Sequence, residues 1–556
     1  MQRVTREAAL WCAVAILAGA LRLARLDFLL TNAEAGAAMA SLAALRGEPV
    51  VFLNPLFGWL QTLIFAIFGA TEPSARLTQA LSGAGLCLLP VALRPQLGRT
   101  RALLLAGLLA LSPTLWFVAR ESGSAMLAWM LALAAHCAWR SDRSDLAAAL
   151  LGALLANGSD AVAPLIVAVV ASVMARPFDA VRLTPRAVAV AGGAFILAAT
   201  GLLMRPSGLG DAFNGYAAWA QSLWWSAEPL SVGRLMLGFV ASEPVAWAGA
   251  LFALAMFAGA RRLSRSDAAW LTWAVVGLLA LVAVTSRSAA SLAPVVIGCA
   301  GLASRAYDAL FASVQRWADW RREGAIAGAT FVLLVYAGLG MLQYAGQGRS
   351  AWLISVLVAG LLILAMVAAG SLGMDYSSPL RGVALSASAM LLLYGLGMGA
   401  QMNLVRPHNP AEPYRREAAA LGLETLRDSI RQISARAMGE PEALAVQIAG
   451  EAPPALRWAL RDQRNLILGE GPSDAGIVLT PALAKPQSTG SFIGAAYDVV
   501  ARAPLSEVRC TSLPQEGIDC SPLARWLAFR EAGDVRTEHW LLWLRDDVAQ
   551  KASGRR

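Results

Sequence analysis

The sequence predicts a polytopic α-helical membrane protein of about thirteen spans, followed by a soluble α/β tail. Three observations carry that prediction. Hydrophobic residues fill 57% of the 556 positions against 15% charged, and mean hydropathy is +0.55. The apolar residues gather in runs suited to a hydrocarbon core about 30 Å thick, where only helices satisfy their own backbone groups. After Met402 the composition turns to a soluble pattern. The 46 basic against 37 acidic side chains give +9, but the arginines sit in short gaps between apolar runs. That is the signature of positively charged loops at a membrane rather than of a nucleic-acid partner. A disordered chain, a coiled coil and a disulfide-dense miniprotein are excluded by the same composition.

In order along the chain, the runs read as spans are Ala8 to Leu21, Ala75 to Ala92, Ala102 to Val118, Ala125 to Trp139, Leu146 to Leu155, Ala161 to Ala175 and Ala187 to Leu203. After a polar interval come Val245 to Ala260, Ala268 to Ser286, Leu292 to Ala303, Ala325 to Leu342, Ala351 to Ala369 and Val383 to Met402. Pro55 to Phe68 is read as an interfacial helix, because counting it as a span spoils the arginine bias of every later loop. With that choice, alternate loops collect Arg3 and Arg6, Arg94, Arg99 and Arg101, Arg140 and Arg143, Arg176, Arg182 and Arg186, Arg261, Arg262 and Arg265, Arg305, Arg316, Arg321 and Arg322, and Arg381. The positive-inside rule then places the N-terminus in the cytoplasm and the tail outside, in a plasma-membrane protein. The opening segment has no small-residue cleavage site after its apolar stretch and reads as a retained first span.

The expected domains are 1–402, a membrane part with outer interfacial helices at 33–68, and 403–556, an extracytoplasmic α/β domain. In the tail, Pro407, Pro410 and Pro413 read as a stiff linker and Tyr414 to Met438 as a helix. Short β-like runs follow at Leu444 to Ile448, Asn465 to Leu468, Gly476 to Leu479 and His539 to Leu544, with Pro454 to Asp462 helical. The segment Gly469 to Gly476 lacks the spacing of a phosphate loop and reads as a turn. Cys510 and Cys520, ten apart in a Pro- and Gly-containing loop, form a disulfide in an oxidising compartment or remain two free thiols.

Two outer segments hold charge where a membrane protein has reason to keep a cavity. The first contains Asn32-Ala33-Glu34, the small-residue helix Ala35 to Leu45 and Asn54-Pro55; the second is the turn Ala119 to Ser124 with Arg120 and Glu121. His136, His408 and His539 fit no metal-ligand spacing, so no metal site is expected among them, while a divalent cation on scattered carboxylates stays open as a cofactor. Trp219, Trp224, Trp225 and Trp247 read as an interfacial aromatic belt or as a sugar-stacking platform. Asn157-Gly158-Ser159 has the glycosylation-acceptor form.

The order of these pieces resembles membrane glycosyltransferases of the GT-C superfamily: Asn32 to Glu34, Ala35 to Leu45, Pro55 to Leu60, Phe68-Gly69, Ala75-Arg76-Leu77, Ser112-Pro113 and Arg120. Within that group, Leu456 to Asp462 and Trp540 to Asp546 look like the flippase-activity-associated family, relatives of protein mannosyltransferases. The resemblance covers about the first 140 residues and patches of the tail. It implies a polyprenyl-phosphate-linked sugar as membrane lipid partner, a cavity open to the outer leaflet, and inverting transfer to the hydroxyl of a glycan, lipid or protein acceptor. Such transfer needs a carboxylate to take the acceptor proton and a cation for the departing phosphate. Where the family's first outer loop carries Asp-Glu, this chain has Ala33-Glu34.

The resemblance therefore points to Glu34 or Glu121 as base, with Arg120, Arg76 and Asn54 as substrate-binding candidates, and Arg287 joins them only by its place at an outer span end. Each has a plainer reading: Glu34 as a helix-start carboxylate, Arg120 as a snorkelling side chain, Arg76 and Arg287 as lipid-headgroup contacts, and Asn54 as a turn residue. Ala33 also leaves a second function class open, a non-catalytic homologue that binds lipid-linked glycan or scaffolds a membrane complex. A secondary transporter predicts paired repeats and unwound spans, which the sequence does not display.

Overall fold

The computed structural model describes residues 5–175, 184–226, 229–260, 263–314, 320–373, 377–469, 471, 474–482, 484, 487, 491–505, 508, 510–513 and 517–553. Among the positions discussed above, Arg3, Arg176, Arg182, Arg261, Arg262, Arg316, Glu470, Pro472 and Ser473 lie outside the described residues.

Every apolar run is helical. The helices are α1 (Arg6–Leu23), α2 (Asn32–Leu45), α3 (Pro55–Phe68), α4 (Glu72–Leu88), α5 (Arg94–Leu97), α6 (Arg99–Leu111), α7 (Pro113–Val118), α8 (Ala125–Arg140), α9 (Ser144–Leu155) and α10 (Val162–Ala175). They continue with α11 (Pro185–Ala199), α12 (Gly208–Gln221), α13 (Val232–Ser242), α14 (Pro244–Ala260), α15 (Arg265–Ala283), α16 (Ala293–Val314), α17 (Trp320–Gln347), α18 (Leu353–Gly373) and α19 (Ser377–Ala400). Seven helical stretches among the described residues are long and apolar enough to cross a bilayer, or eight if α13 and α14, bent by 88°, count as one span. By length and composition the structure therefore falls short of about thirteen spans. The physical reason is local: α6, α8, α9 and α11, each read as a span, are apolar but only 13, 16, 12 and 15 residues long. On α18, Leu357, Leu361 and Leu364 are more than half exposed, as side chains facing lipid are.

The run Ala102 to Val118 breaks into α6 and α7 at Pro113, which has no N–H to give the carbonyl of Leu109. The freed carbonyls are answered by a buried cation: Arg22 donates to the Leu109 oxygen at 3.0 Å and the Ala110 oxygen at 3.2 Å. The next turn is met by Glu243, which accepts from the Ser112 hydroxyl at 2.5 Å and the Thr114 N–H at 2.7 Å. Two charged side chains from elsewhere in the chain thus complete a backbone that proline left unpaired.

The tail contains a six-stranded sheet of β1 (Ala418–Ala419), β2 (Val446–Ile448), β3 (Leu466–Leu468), β4 (Ile477–Pro481), β5 (Phe492–Arg502) and, last in the chain, Arg536–Arg545. A two-stranded hairpin precedes that last strand: β6 (Thr511–Leu513) pairs with β7 (Gly517–Asp519), which makes Arg536–Arg545 β8. The sheet order is β1-β5-β8-β4-β2-β3, with β2 parallel to β3 and β4 and the other pairs antiparallel. The strand β5, eleven residues long, escaped the sequence reading because Gly494, Ala495 and Ala496 give it no apolar alternation. A disulfide joins Cys510 to Cys520 across the hairpin.

The helix expected over Tyr414 to Met438 begins only at Leu421 as α20 (Leu421–Met438). Upstream of it, the segment read as a stiff linker packs against the end of the bundle, with Glu412, Tyr414 and Arg415 almost completely buried. A second anchor is α21 (Pro454–Ala459), shorter than the predicted helix. Its Trp458 packs against Phe65 of α3 and donates to Glu72 at 3.2 Å, and Arg461 pairs with the same carboxylate at 3.2 Å. The sheet domain and the loops between α1 and α4 share one apolar core.

Candidate functional site

The turn between α7 and α8, Ala119 to Ser124, is where the pieces meet. Glu34, third residue of α2, sits in a capping box: its carboxylate accepts from the Thr31 N–H at 2.9 Å and the Thr31 hydroxyl at 3.0 Å. The same carboxylate takes a two-pronged ion pair from Arg76 of α4, at 2.8 and 3.0 Å, and the Ser122 N–H at 2.9 Å. Burial raises its pKa, but Arg76 outweighs that and holds the carboxyl below its ordinary value. Arg76 is saturated: its remaining donors bind the carbonyls of Leu26 and Leu29, each at 3.0 Å, and that of Phe28. This pair is the frame that holds the 24–31 loop, α2 and the 119–124 turn together, and neither partner has capacity left for a ligand.

Arg120, 2% exposed, pins the other half of that loop, donating to the Arg25 carbonyl at 2.7 Å and to the Ala24 carbonyl, while its Nε is buried with no partner. Glu121 differs from Glu34 in every respect. Its carboxylate has no hydrogen-bond partner among the described residues, and burial pushes it up to about 8, opposed chiefly by Arg415. Arg415 arrives from the buried segment after α19; its guanidinium makes no hydrogen bond or ion pair among the described residues, and its Nε is buried and unpaired. Burial also lowers Arg415, and Glu121 is the first charge that restores it.

One aromatic ring lies within 6.0 Å of all three guanidiniums, and Arg415 is nearer still to a second ring, Phe117, at 4.9 Å. The Arg76 guanidinium lies 3.6 Å from the centre of the Phe28 ring, Arg120 5.6 Å and Arg415 6.0 Å. His408 meets the same ring edge-on at 5.8 Å and is pushed down to about 4 by burial, with Arg415 and Arg76 adding to the effect. Phe28, His408, Arg25, Arg406 and Arg530 line a cleft of about 670 Å³ between the first loop and the tail; a second, more apolar cleft of about 560 Å³, with Leu23, Leu26, Phe68 and Leu77, lies on the other side of Arg25.

The structure thus brings together Glu34, Arg76, Arg120 and Glu121. Asn54 lies apart from them, its side-chain oxygen accepting from the Ser159 hydroxyl at 2.8 Å and the Asp160 N–H at 3.3 Å, which ties α3 to the turn before α10. Arg287 binds the carbonyls of Leu281 and Val282 at the C-terminal end of α15, as a helix-end cation does. Asn157 is fully buried, so the folded chain cannot be glycosylated there. Trp224 and Trp225 are 79% and 72% exposed, outside this cluster. Among the described residues, no three His, Cys, Asp or Glu side chains gather as a metal-ligand set. Sequence reasoning missed Phe28, His408 and Arg415. The available signal was the pair of arginines directly after the proline-rich segment that follows the last apolar run.

No protein-family model and no curated protein matches the chain. Among solved structures it is similar to ArnT from Cupriavidus metallidurans bound to undecaprenyl phosphate, with a TM-score of 0.55 and 17% identity over 85% of this chain and 93% of that one. Against the apo state of the same ArnT the TM-score is 0.53 at 15% identity, covering 97% of this chain and 98% of that one. The chain therefore shares the fold of those two structures, and in it a helical bundle bears a C-terminal sheet domain.

Proposed function

We propose that the chain is a membrane glycosyltransferase that moves a sugar from a polyprenyl-phosphate donor to an acceptor hydroxyl. The observation that carries this reading is the pairing of an unbonded, half-buried carboxyl, Glu121, with an unbonded, buried guanidinium, Arg415, on a frame fixed by Glu34 and Arg76. The likeness to a structure that holds undecaprenyl phosphate supports the choice of donor.

In the proposed step Glu121 takes the proton of the acceptor hydroxyl as its oxygen attacks the anomeric carbon. The bond from that carbon to the phosphate oxygen breaks, and the polyprenyl phosphate leaves with the electron pair, its charge met by Arg415 and the free Nε of Arg120. Attack opposite the leaving group inverts the anomeric centre. Glu34 acts as a positioning residue through Arg76 and Ser122. The Cys510–Cys520 disulfide and the asymmetry of loop arginines support an extracytoplasmic site and sheet domain, with the N-terminus in the cytoplasm.

The saturation of Glu34 favours one second reading, a homologue that binds lipid-linked glycan without turning it over. The full chain in nanodiscs, supplied with a panel of undecaprenyl-phosphate monosaccharides, separates the two. Transfer by wild type, reduced about 10²–10⁴-fold by Glu121→Gln, supports catalysis. Donor binding without release of undecaprenyl phosphate from any panel member would establish the second reading instead.

A further inference from the structure

Buried donors without partners are rare in a folded protein and call for a reason. Here two of them, the Nε atoms of Arg120 and Arg415, belong to guanidiniums within 6.0 Å of one half-buried ring, Phe28, which also lines the 670 Å³ cleft. Resting on the transferase reading, we propose that Phe28 is the gate of this anion site: its ring separates the cleft from the arginine nest, and a phosphate reaches Arg120 and Arg415 only when the ring turns aside.

The backbone around Phe28 is built to stay still while the ring moves. Arg76 holds the carbonyls of Leu26, Phe28 and Leu29, and Arg120 holds those of Ala24 and Arg25, so the residues flanking the ring are anchored on both sides. The ring has no such anchor. It rests on the flat face of Arg76 and against the edge of His408, contacts that an anion at Arg120 and Arg415 would replace with charge-assisted hydrogen bonds. Closed, the ring keeps water and free anions from buried cations. Open, it admits a phosphate from the cleft. The ligand chemistry is a phosphate monoester or diester, and its source is either a lipid headgroup or free phosphate.

The test uses the full chain in nanodiscs as wild type, Phe28→Ala and Phe28→Leu, the last retaining apolar packing in a smaller side chain. Inorganic phosphate is followed by phosphorus NMR line broadening and undecaprenyl phosphate by stopped-flow tryptophan fluorescence. Phe28→Ala is expected to bind inorganic phosphate that wild type excludes, and to associate with undecaprenyl phosphate about tenfold faster, as removal of a conformational step allows, with Phe28→Leu between them. Adding Arg415→Met to Phe28→Ala should abolish the new phosphate binding. Equal phosphate binding and equal association rates in wild type and in a Phe28→Leu protein of wild-type melting temperature overturn the gate while leaving the transferase reading intact. Phosphate binding gained by Phe28→Ala, with no response of any variant to undecaprenyl phosphate, keeps the gate and removes the polyprenyl donor.

Discussion

Glu34 and Glu121 are near neighbours with opposite chemistry, and substitution separates them. Glu34→Gln removes one half of a buried ion pair and leaves Arg76 uncompensated, so thermal unfolding should drop by an amount equivalent to about 3–5 kcal/mol. Glu121→Gln replaces a carboxyl that is mostly protonated at neutral pH in the folded chain but ionised in the unfolded one, so the melting temperature should hold or rise while transfer is lost. The pH profile follows from the same shift. A base must be ionised, so the rate should climb with pH to an inflection near 8; Arg415 draws that value down, and Arg415→Met should push the inflection upward. The linkage has the same sign: a carboxyl with a raised pKa favours the folded state below that pKa. Stability contributed at Glu121 should therefore decline as pH rises from about 4.5 to about 8, a slope that Glu121→Gln removes. Glu34 and Glu121 were both legible in the sequence as acidic residues in candidate outer segments. Which of them retains a free carboxyl was not, because that depends on partners 42 and 88 residues away from Glu34.

At the scale of elements, the α6–α7 break shows how this bundle tolerates charge. Arg22 lies inside it because Pro113 strands carbonyls there, and Arg22→Met should cost about 1–3 kcal/mol for each carbonyl left unpaired, read as a lower melting temperature with the site chemistry retained. Apolar runs marked every helix of the bundle that the sequence reading placed, since hydrocarbon admits no other backbone state. Their division into spans depended on breaks, bends and lengths: the 88° turn between α13 and α14 and the 14 residues of α3. The proline-rich segment after α19 looked like a linker because Pro407, Pro410 and Pro413 stiffen it, and stiffness is compatible with burial as readily as with exposure. His408 within it adds a pH dependence. Its value near 4 means that it is buried neutral, so docking of this segment should weaken as pH falls from about 6.5 towards 4, where the unfolded residue gains a proton first. Faster proteolysis of 406–417 over that window is the expected readout.

For the whole molecule, the site exists because the tail folds back on the bundle. Arg415 comes from the segment after the last helix of the bundle, Glu121 from the turn after α7 and Phe28 from the first loop, and the sheet domain is clamped to that loop region by Trp458, Arg461 and Glu72. Arg461→Ala should loosen this clamp, expose 406–417 to protease and lower transfer without touching any residue of the nest. Wild-type turnover in a protein shown to be undocked would contradict the role given to Arg415.

The sequence by itself determined the membrane-bound helical class, the change of character after Met402 and the two segments where charge would matter, because hydropathy, loop charge and local spacing are properties of neighbouring residues. Only the tertiary structure decided that Glu34 and Arg76 saturate one another, that Glu121 and Arg415 do not, and that Phe28 stands over them. Those outcomes depend on which donors and acceptors from distant parts of the chain come within hydrogen-bonding reach, and no local pattern encodes that distance.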